Sequence, residues 1–165
     1  MTSFAKIKAL PRGAKILTLT MALTILSFFV QSALPPRISS GESDAVAGFL
    51  SRIFSPESCL GRFVIDNLRK IGHFVEYGAL GIQTALFVFL YAEKKNERRI
   101  SFKFALGALT VALLDETTQI FSGRGPAILD VWIDFFGYCS FYLLSFAVLF
   151  AFSKIVKTSK EKHNG

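Results

Sequence analysis

The fold is decided by Ile16–Leu34, ILTLTMALTILSFFVQSAL, which contains no ionisable residue. At about 1.5 Å per residue, an α-helix of this length reaches roughly 28 Å and can cross the hydrocarbon core of a bilayer. Pro35 and Pro36 follow and end the helix, because proline cannot donate a backbone hydrogen bond. The stretch therefore predicts a transmembrane helix.

A cleaved signal peptide is the alternative interpretation of this stretch, since Lys6, Lys8, Arg12 and Lys15 precede or adjoin it. The apolar core of a signal peptide is usually about 7–15 residues long, and this run is longer. We therefore expect it to remain in the protein as the first membrane span.

Three further apolar runs have the length of membrane spans, at roughly residues 71–91, 102–121 and 128–152. A mixed polar loop, roughly residues 35–70, joins the first two spans. Within that loop the apolar spacing from Asp44 to Phe54 predicts a short helix on the membrane surface. The sequence thus predicts an all-α polytopic membrane protein, with one domain over residues 1–165 and a four-helix transmembrane bundle.

The composition agrees with a membrane protein and argues against nucleic-acid binding. Hydrophobic residues make up 52% of the 165 residues, more than a soluble domain of this length could bury. The net charge is +7, but the basic residues cluster at the ends of the apolar runs and no nucleic-acid-binding motif is present. We therefore expect membrane lipids, and no nucleic acid, among the partners.

The distribution of Lys and Arg predicts the orientation. Thirteen of them flank the spans on the side of the two termini, and six lie on the other side. Cytoplasmic loops carry the excess of positive charge, so we expect both termini in the cytoplasm of a multi-pass protein of the cell (inner) membrane. Residues 35–70 and 122–127 would then face outward.

Ionisable side chains inside the spans cost about 2.5–3.5 kcal/mol each at mid-membrane and usually face a bundle interior or a wet cavity. Here they fall near the outward ends of spans two, three and four, and residues three or four apart share a helix face. The sequence predicts an outward-facing polar pocket in which some of five carboxylates are protonated, solvated or bound to a divalent cation. The candidate ligand-binding residues are Lys70, His73, Glu76, Tyr77, Asp115, Glu116, Gln119, Arg124, Asp130 and Asp134.

Three segments carry a resemblance to a known family. They are Lys70–Gly81 (KIGHFVEYGALG), Asp115–Phe121 (DETTQIF) and Asp130–Gly137 (DVWIDFFG), with Arg124 between the last two. In this order they resemble the VanZ-like family pattern of K-x-x-H-F-x-E-Y, D-E-x-x-Q-x-F, an Arg, and D-V-x-x-N-x-x-G, over about residues 68–140. Asp134 departs from the pattern, since Asn is expected there, and adds a carboxylate to an acidic pocket.

The resemblance implies an integral membrane protein with a role in the cell envelope. The namesake of the family is associated with reduced susceptibility to teicoplanin, a lipid-tailed glycopeptide. The resemblance therefore implies glycopeptide resistance, and a lipid-linked envelope precursor or a lipoglycopeptide as the ligand.

Three functional hypotheses follow. In the first, the pocket binds a lipid headgroup or a lipid-linked ligand, and Arg124 contacts phosphate. In the second, the chain is an intramembrane enzyme that acts on a lipid by acid–base or metal chemistry. Its candidate catalytic residues are His73, Glu76, Asp115 and Glu116. The third hypothesis is an ion-coupled transporter.

The same residues also have structural interpretations. His73 can cap a helix at the interface, and the carboxylates can join helices through hydrogen bonds. Arg124 can anchor the chain to lipid headgroups. Tyr77 and Trp132 fit the aromatic belt that marks the membrane interface.

Overall fold

The computed structural model describes residues 11–34, 46–53, 55, 57–123 and 127–163. Within these ranges the chain forms six α-helices and no strand, and four of the helices are long and apolar enough to cross a membrane. The prediction of an all-α, multi-pass membrane protein is confirmed. The helices are α1 (Arg12–Ala33), α2 (46–53), α3 (Cys59–Asp66), α4 (Leu68–Tyr91), α5 (Glu97–Phe121) and α6 (Ile128–His163).

The segment predicted as a polar loop between the first two spans is more helical than expected. Residues 46–53 of the segment predicted as a surface helix are helical and form α2, while Asp44 and Phe54 lie outside the described residues; the position of α2 on the membrane surface stays a prediction. The eight-residue α3 was not predicted; it begins where the Ser58 hydroxyl accepts a hydrogen bond from the Gly61 backbone N–H. So short a helix gives too few apolar repeats for its period to be recognised. Asn67 then separates α3 from α4.

The last helix continues past the predicted end of the fourth span at about residue 152. It runs to His163, because no Gly or Pro interrupts residues 153–163. This extension carries four of the thirteen basic residues that predict the orientation, so α6 combines an apolar span with a basic C-terminal end.

Glycines allow α4 and α6 to pack backbone against backbone. These two helices share the most extensive contact in the described chain. A methyl group at Gly81 would collide with the Tyr138 carbonyl oxygen, and one at Gly137 would collide with the Phe74 carbonyl oxygen. Small residues permit such close approach between membrane helices. The N-terminal halves of α4 and α6 therefore lie side by side.

The interior of the bundle is partly apolar and partly polar. Its buried apolar cluster includes Phe28, Tyr77 and Tyr138, while many large apolar side chains are exposed on the outer faces of the spans, where acyl chains would cover them. Side-chain hydrogen bonds also join the helices. Gln83 Nε2 donates to Thr24 Oγ1 over 3.0 Å, linking α4 to α1. Such bonds add a modest stabilisation between membrane helices.

Candidate functional site

The polar residues predicted from sequence meet at one end of the bundle. This end, called the polar end below, is formed by the C-terminal turns of α1 and α5 and the N-terminal turns of α4 and α6. The sequence placed polar groups on three spans at one depth, and the structure brings the three spans together there. It also adds α1, whose contribution was not predicted.

The centre of the polar end is a triad formed by His73 on α4, Asp115 on α5 and Asp134 on α6. One ligand atom from each residue lies within 4.8 Å of those from the other two. His73 Nδ1 is 3.2 Å from Asp134 Oδ1, and the side chain of Asp134 is 0% exposed. Three helices that are separate in sequence therefore place one imidazole and two carboxylates around a common point.

Most polar atoms of the triad have no hydrogen-bond partner in the described chain. These atoms are Asp115 Oδ1, both carboxylate oxygens of Asp134, and Nδ1 of His73, whose contact with Asp134 has the distance of an ion pair without hydrogen-bond geometry. Buried polar atoms are almost always satisfied, by protein, water or a ligand. The triad thus has polar atoms that are free to bind a cation, a water molecule or a hydrogen-bond donor of a ligand.

Helix α1 closes the side of the triad. The Ser32 hydroxyl, which is 3% exposed, hydrogen-bonds to Asp115, and Gln31 hydrogen-bonds to the half-buried Glu76. Sequence reasoning missed both residues because neutral Ser and Gln in an apolar run are not exceptional. Their position at the end of the first span was the available signal, since the other polar groups lie at the same depth.

A second group, called the Glu116 network below, lies beside the triad and is fully connected. Glu116 Oε1 accepts a hydrogen bond from Gln119 Nε2 over 2.7 Å, and Glu116 Oε2 accepts one from the Ala127 backbone N–H over 2.8 Å. The Arg69 guanidinium donates to Gln119 Oε1. The network therefore ties the end of α5 to the start of α6 and to α4.

The remaining candidates are less directly involved. Lys70 is exposed, and among the described residues its neighbour Arg69 is the arginine or lysine that contacts the site. Asp130 is half-buried, one turn before Asp134 on α6. Arg124 lies outside the described residues.

The belt interpretation fails for Tyr77 and stays a prediction for Trp132. Tyr77 is 0% exposed, and its ring stacks on Phe28 at a centroid distance of 4.5 Å, so it lies inside the bundle. Trp132 is half exposed, as a belt residue would be. Tyr77 Oη has no hydrogen-bond partner among the described residues.

The chemistry available at the polar end follows from these groups. An imidazole and two carboxylates can hold a cation, accept hydrogen bonds from hydroxyls or amines, or transfer protons. Arg69 adds a guanidinium that can bind an anion. These capacities are compatible with the binding hypothesis and with the enzyme hypothesis.

Comparison with known proteins identifies the family. The profile of the VanZ/LLP1 family matches residues 14–151, from the first turn of α1 into α6, and so includes the triad and the Glu116 network. No curated protein and no solved structure gives a significant match. The matched region covers most of the chain, beyond the segment that carries the motifs. The chain therefore belongs to the VanZ/LLP1 family of membrane proteins.

Proposed function

We propose that this chain is a cell-envelope protein that binds, at its polar end, the headgroup of a membrane lipid, a lipid-linked envelope precursor or a lipoglycopeptide. One observation carries the proposal: four membrane helices bring polar side chains to one end, and several buried polar atoms at its centre have no hydrogen-bond partner in the described chain. A ligand that brings its own donors would satisfy those atoms.

An amphiphilic ligand is favoured by exposed apolar side chains at the polar end. Phe121 at the end of α5 is 87% exposed, and Ile128 at the start of α6 is 81% exposed. These apolar side chains lie at the same end of the bundle as the buried carboxylates. A molecule with a polar head and an apolar tail can contact both surfaces at once, which a fully polar solute cannot do.

Charge complementarity suggests how the headgroup is held. Arg69 is exposed, and a guanidinium has five N–H donors, so its bond to Gln119 leaves donors for a phosphate or carboxylate. The free carboxylate oxygens of Asp115 and Asp134 accept hydrogen bonds from hydroxyl or ammonium groups. Phosphate with hydroxyls, and carboxylate with amines, are both headgroup chemistries that fit.

The test uses Asp115→Asn and Asp134→Asn, with Asp66→Asn as the matched control on exposed α3. Each purified variant in nanodiscs of the host's lipids is analysed by native mass spectrometry for retained lipid and for added lipoglycopeptide. In cells, membrane accumulation and susceptibility to a lipoglycopeptide are measured together. We expect wild type and Asp66→Asn to retain a ligand and both triad variants to lose it at normal accumulation. Equal retention in all four proteins would contradict the proposal.

An intramembrane enzyme is the second candidate, and the contact between His73 and Asp134 favours it. A carboxylate 3.2 Å from an imidazole nitrogen can orient the ring for acid–base work. Of the sequence-predicted catalytic residues, Glu116 is engaged in hydrogen bonds, which leaves His73 and Asp115 better placed. Turnover of a lipid by wild type and not by His73→Gln would support this candidate, and ion flux coupled to a solute would support a transporter.

A further inference from the structure

We propose that the triad is a binding site for one divalent transition-metal ion, Zn²⁺ or Mn²⁺, held by His73, Asp115 and Asp134. The inference rests on the proposed function in one respect, since both concern the polar end. The choice of ion follows from the donor atoms of the protein and does not depend on the lipid. In a headgroup site, the ion would contact an anionic oxygen of the ligand.

The geometry of the donors is the first argument. The three ligand atoms come from three different helices, and all lie within 4.8 Å of one another. Ligands of a tetrahedral Zn²⁺ at about 2.1 Å lie roughly 3.4 Å apart, so small side-chain rotations would complete the site. The His73 nitrogen and one Asp134 oxygen, at 3.2 Å, already have the required separation. Since α4 and α6 are held together by glycine packing, this pair is positioned by the backbone.

The unsatisfied atoms are the second and independent argument. Asp134 is 0% exposed and Asp115 is 1% exposed, yet three of their four carboxylate oxygens have no hydrogen-bond partner in the described chain. The Ser32 hydroxyl holds Asp115 from the side. A buried carboxylate without donors is unfavourable unless it is paired or coordinates a metal. A cation would bind the His73 nitrogen and one oxygen of each carboxylate at once.

The donor set selects the metal. One imidazole with two carboxylates suits Zn²⁺ or Mn²⁺, whereas Ca²⁺ and Mg²⁺ prefer oxygen ligands alone. Three protein ligands also leave at least one coordination position for water or for a ligand oxygen. Glu116 is excluded from the set because both of its oxygens accept hydrogen bonds.

The experiment measures metal directly. Wild type, Asp134→Asn, His73→Gln and the exposed control Asp66→Asn are purified in detergent without chelator and with a histidine-free tag. Metal content is then measured by inductively coupled plasma mass spectrometry. We expect about one Zn²⁺ or Mn²⁺ per chain in wild type and Asp66→Asn, and at least a tenfold lower content in both triad variants.

A second measurement keeps the inference testable if a triad variant fails to fold. Wild type is stripped with chelator, reloaded with Zn²⁺, Mn²⁺ or Mg²⁺, and its Tm is recorded for each ion. Zn²⁺ or Mn²⁺ should raise Tm and Mg²⁺ should not, since a ligand that binds only the folded state stabilises it. Wild type that neither carries nor regains metal would overturn the inference, as would a folded Asp134→Asn variant that keeps the ion. A protein that carries metal but retains no lipid would support the metal site and contradict the proposed headgroup binding. A protein that retains lipid but carries no metal would support headgroup binding and contradict the metal site.

Discussion

Two neighbouring residues of α5, Asp115 and Glu116, are both buried carboxylates but differ in how many of their oxygens are hydrogen-bonded within the described chain. Glu116 has a hydrogen-bond donor for each oxygen, from Gln119 and from the Ala127 backbone. In the described chain Asp115 has one oxygen without a hydrogen-bond partner, and it lies close to Asp134, which has two. The sequence motif makes them look alike, and only the arrangement of the helices separates them.

The comparison separates structure from function at the polar end. A carboxylate that is fully hydrogen-bonded within the protein stabilises the fold, and its loss leaves buried donors unpaired. A buried carboxylate oxygen without a hydrogen-bond donor does not stabilise the fold in this way and retains its capacity for a ligand. We therefore expect the Glu116 network to hold the helices together and the triad to bind.

Glu116→Ala should break the structural side of the comparison and have the largest effect. The substitution leaves the Ala127 N–H and the Gln119 amide without acceptors, at a cost of about 1–3 kcal/mol for each buried group. We expect the free energy of unfolding, measured by titration with a denaturing detergent, to fall by about 2–4 kcal/mol. Glu116→Gln keeps one acceptor oxygen and should lose less. A Glu116→Ala protein as stable as wild type would show that the network is not structural.

Gly137→Ala should affect both sides of the comparison. Its methyl group meets the Phe74 backbone, so α4 and α6 must separate, at a cost of about 1–3 kcal/mol. The separation would also move His73 away from Asp134 and weaken ligand binding. Gly107→Ala is the matched control, because a Cβ there has nothing within 4 Å. Equal stability of the two variants in the same denaturation assay would contradict the close packing of α4 on α6.

Much of the fold was predictable because membrane spans are long apolar runs that few other structures require. The four spans and the shared depth of the polar groups on spans two to four follow from this and from helical spacing. The eight-residue α3 and the continuation of α6 to His163 do not, since a short amphipathic helix and a charged helix end carry weak signals.

The ionisable residues inside the spans were predictable as members of the candidate site, but their division into the triad and the Glu116 network was not. Charged residues in spans are exceptional, so His73, Asp115 and Asp134 were identified at once. The roles of Ser32 and Arg69 depend on which helix faces lie together, and periodicity does not give that information. Lys70 and Arg69 are adjacent basic residues, and only the rotation of α4 distinguishes them.

Asp134→Asn should sharpen the comparison by changing function without changing the fold. Asn keeps the size of the side chain and removes a buried carboxylate that has no hydrogen-bond partner among the described residues. We expect the free energy of unfolding to change by less than about 1 kcal/mol, because the amide oxygen of Asn can keep the 3.2 Å contact with His73 Nδ1 and no hydrogen bond of the described chain is lost. Lipid or lipoglycopeptide retention, measured on the same preparation, should be lost. A loss of stability as large as that of Glu116→Ala would place Asp134 with the structural residues.

Arg69→Gln and Lys70→Gln should give the smallest effects and decide which basic residue serves the polar end. Both residues are exposed, so solvent screens their charges, and an exposed charge contact changes affinity by up to about fivefold. Arg69 donates a hydrogen bond to Gln119 and can present its remaining donors to an anionic headgroup. Lys70 makes no hydrogen bond or ion pair with the site in the described chain. Binding of an anionic lipid in nanodiscs, titrated at low and high salt, should therefore weaken more for Arg69→Gln than for Lys70→Gln. The difference should shrink as salt rises, because screening acts on exposed charges. The opposite order would mean that the headgroup approaches from the Lys70 side of α4, as the sequence motif by itself suggested.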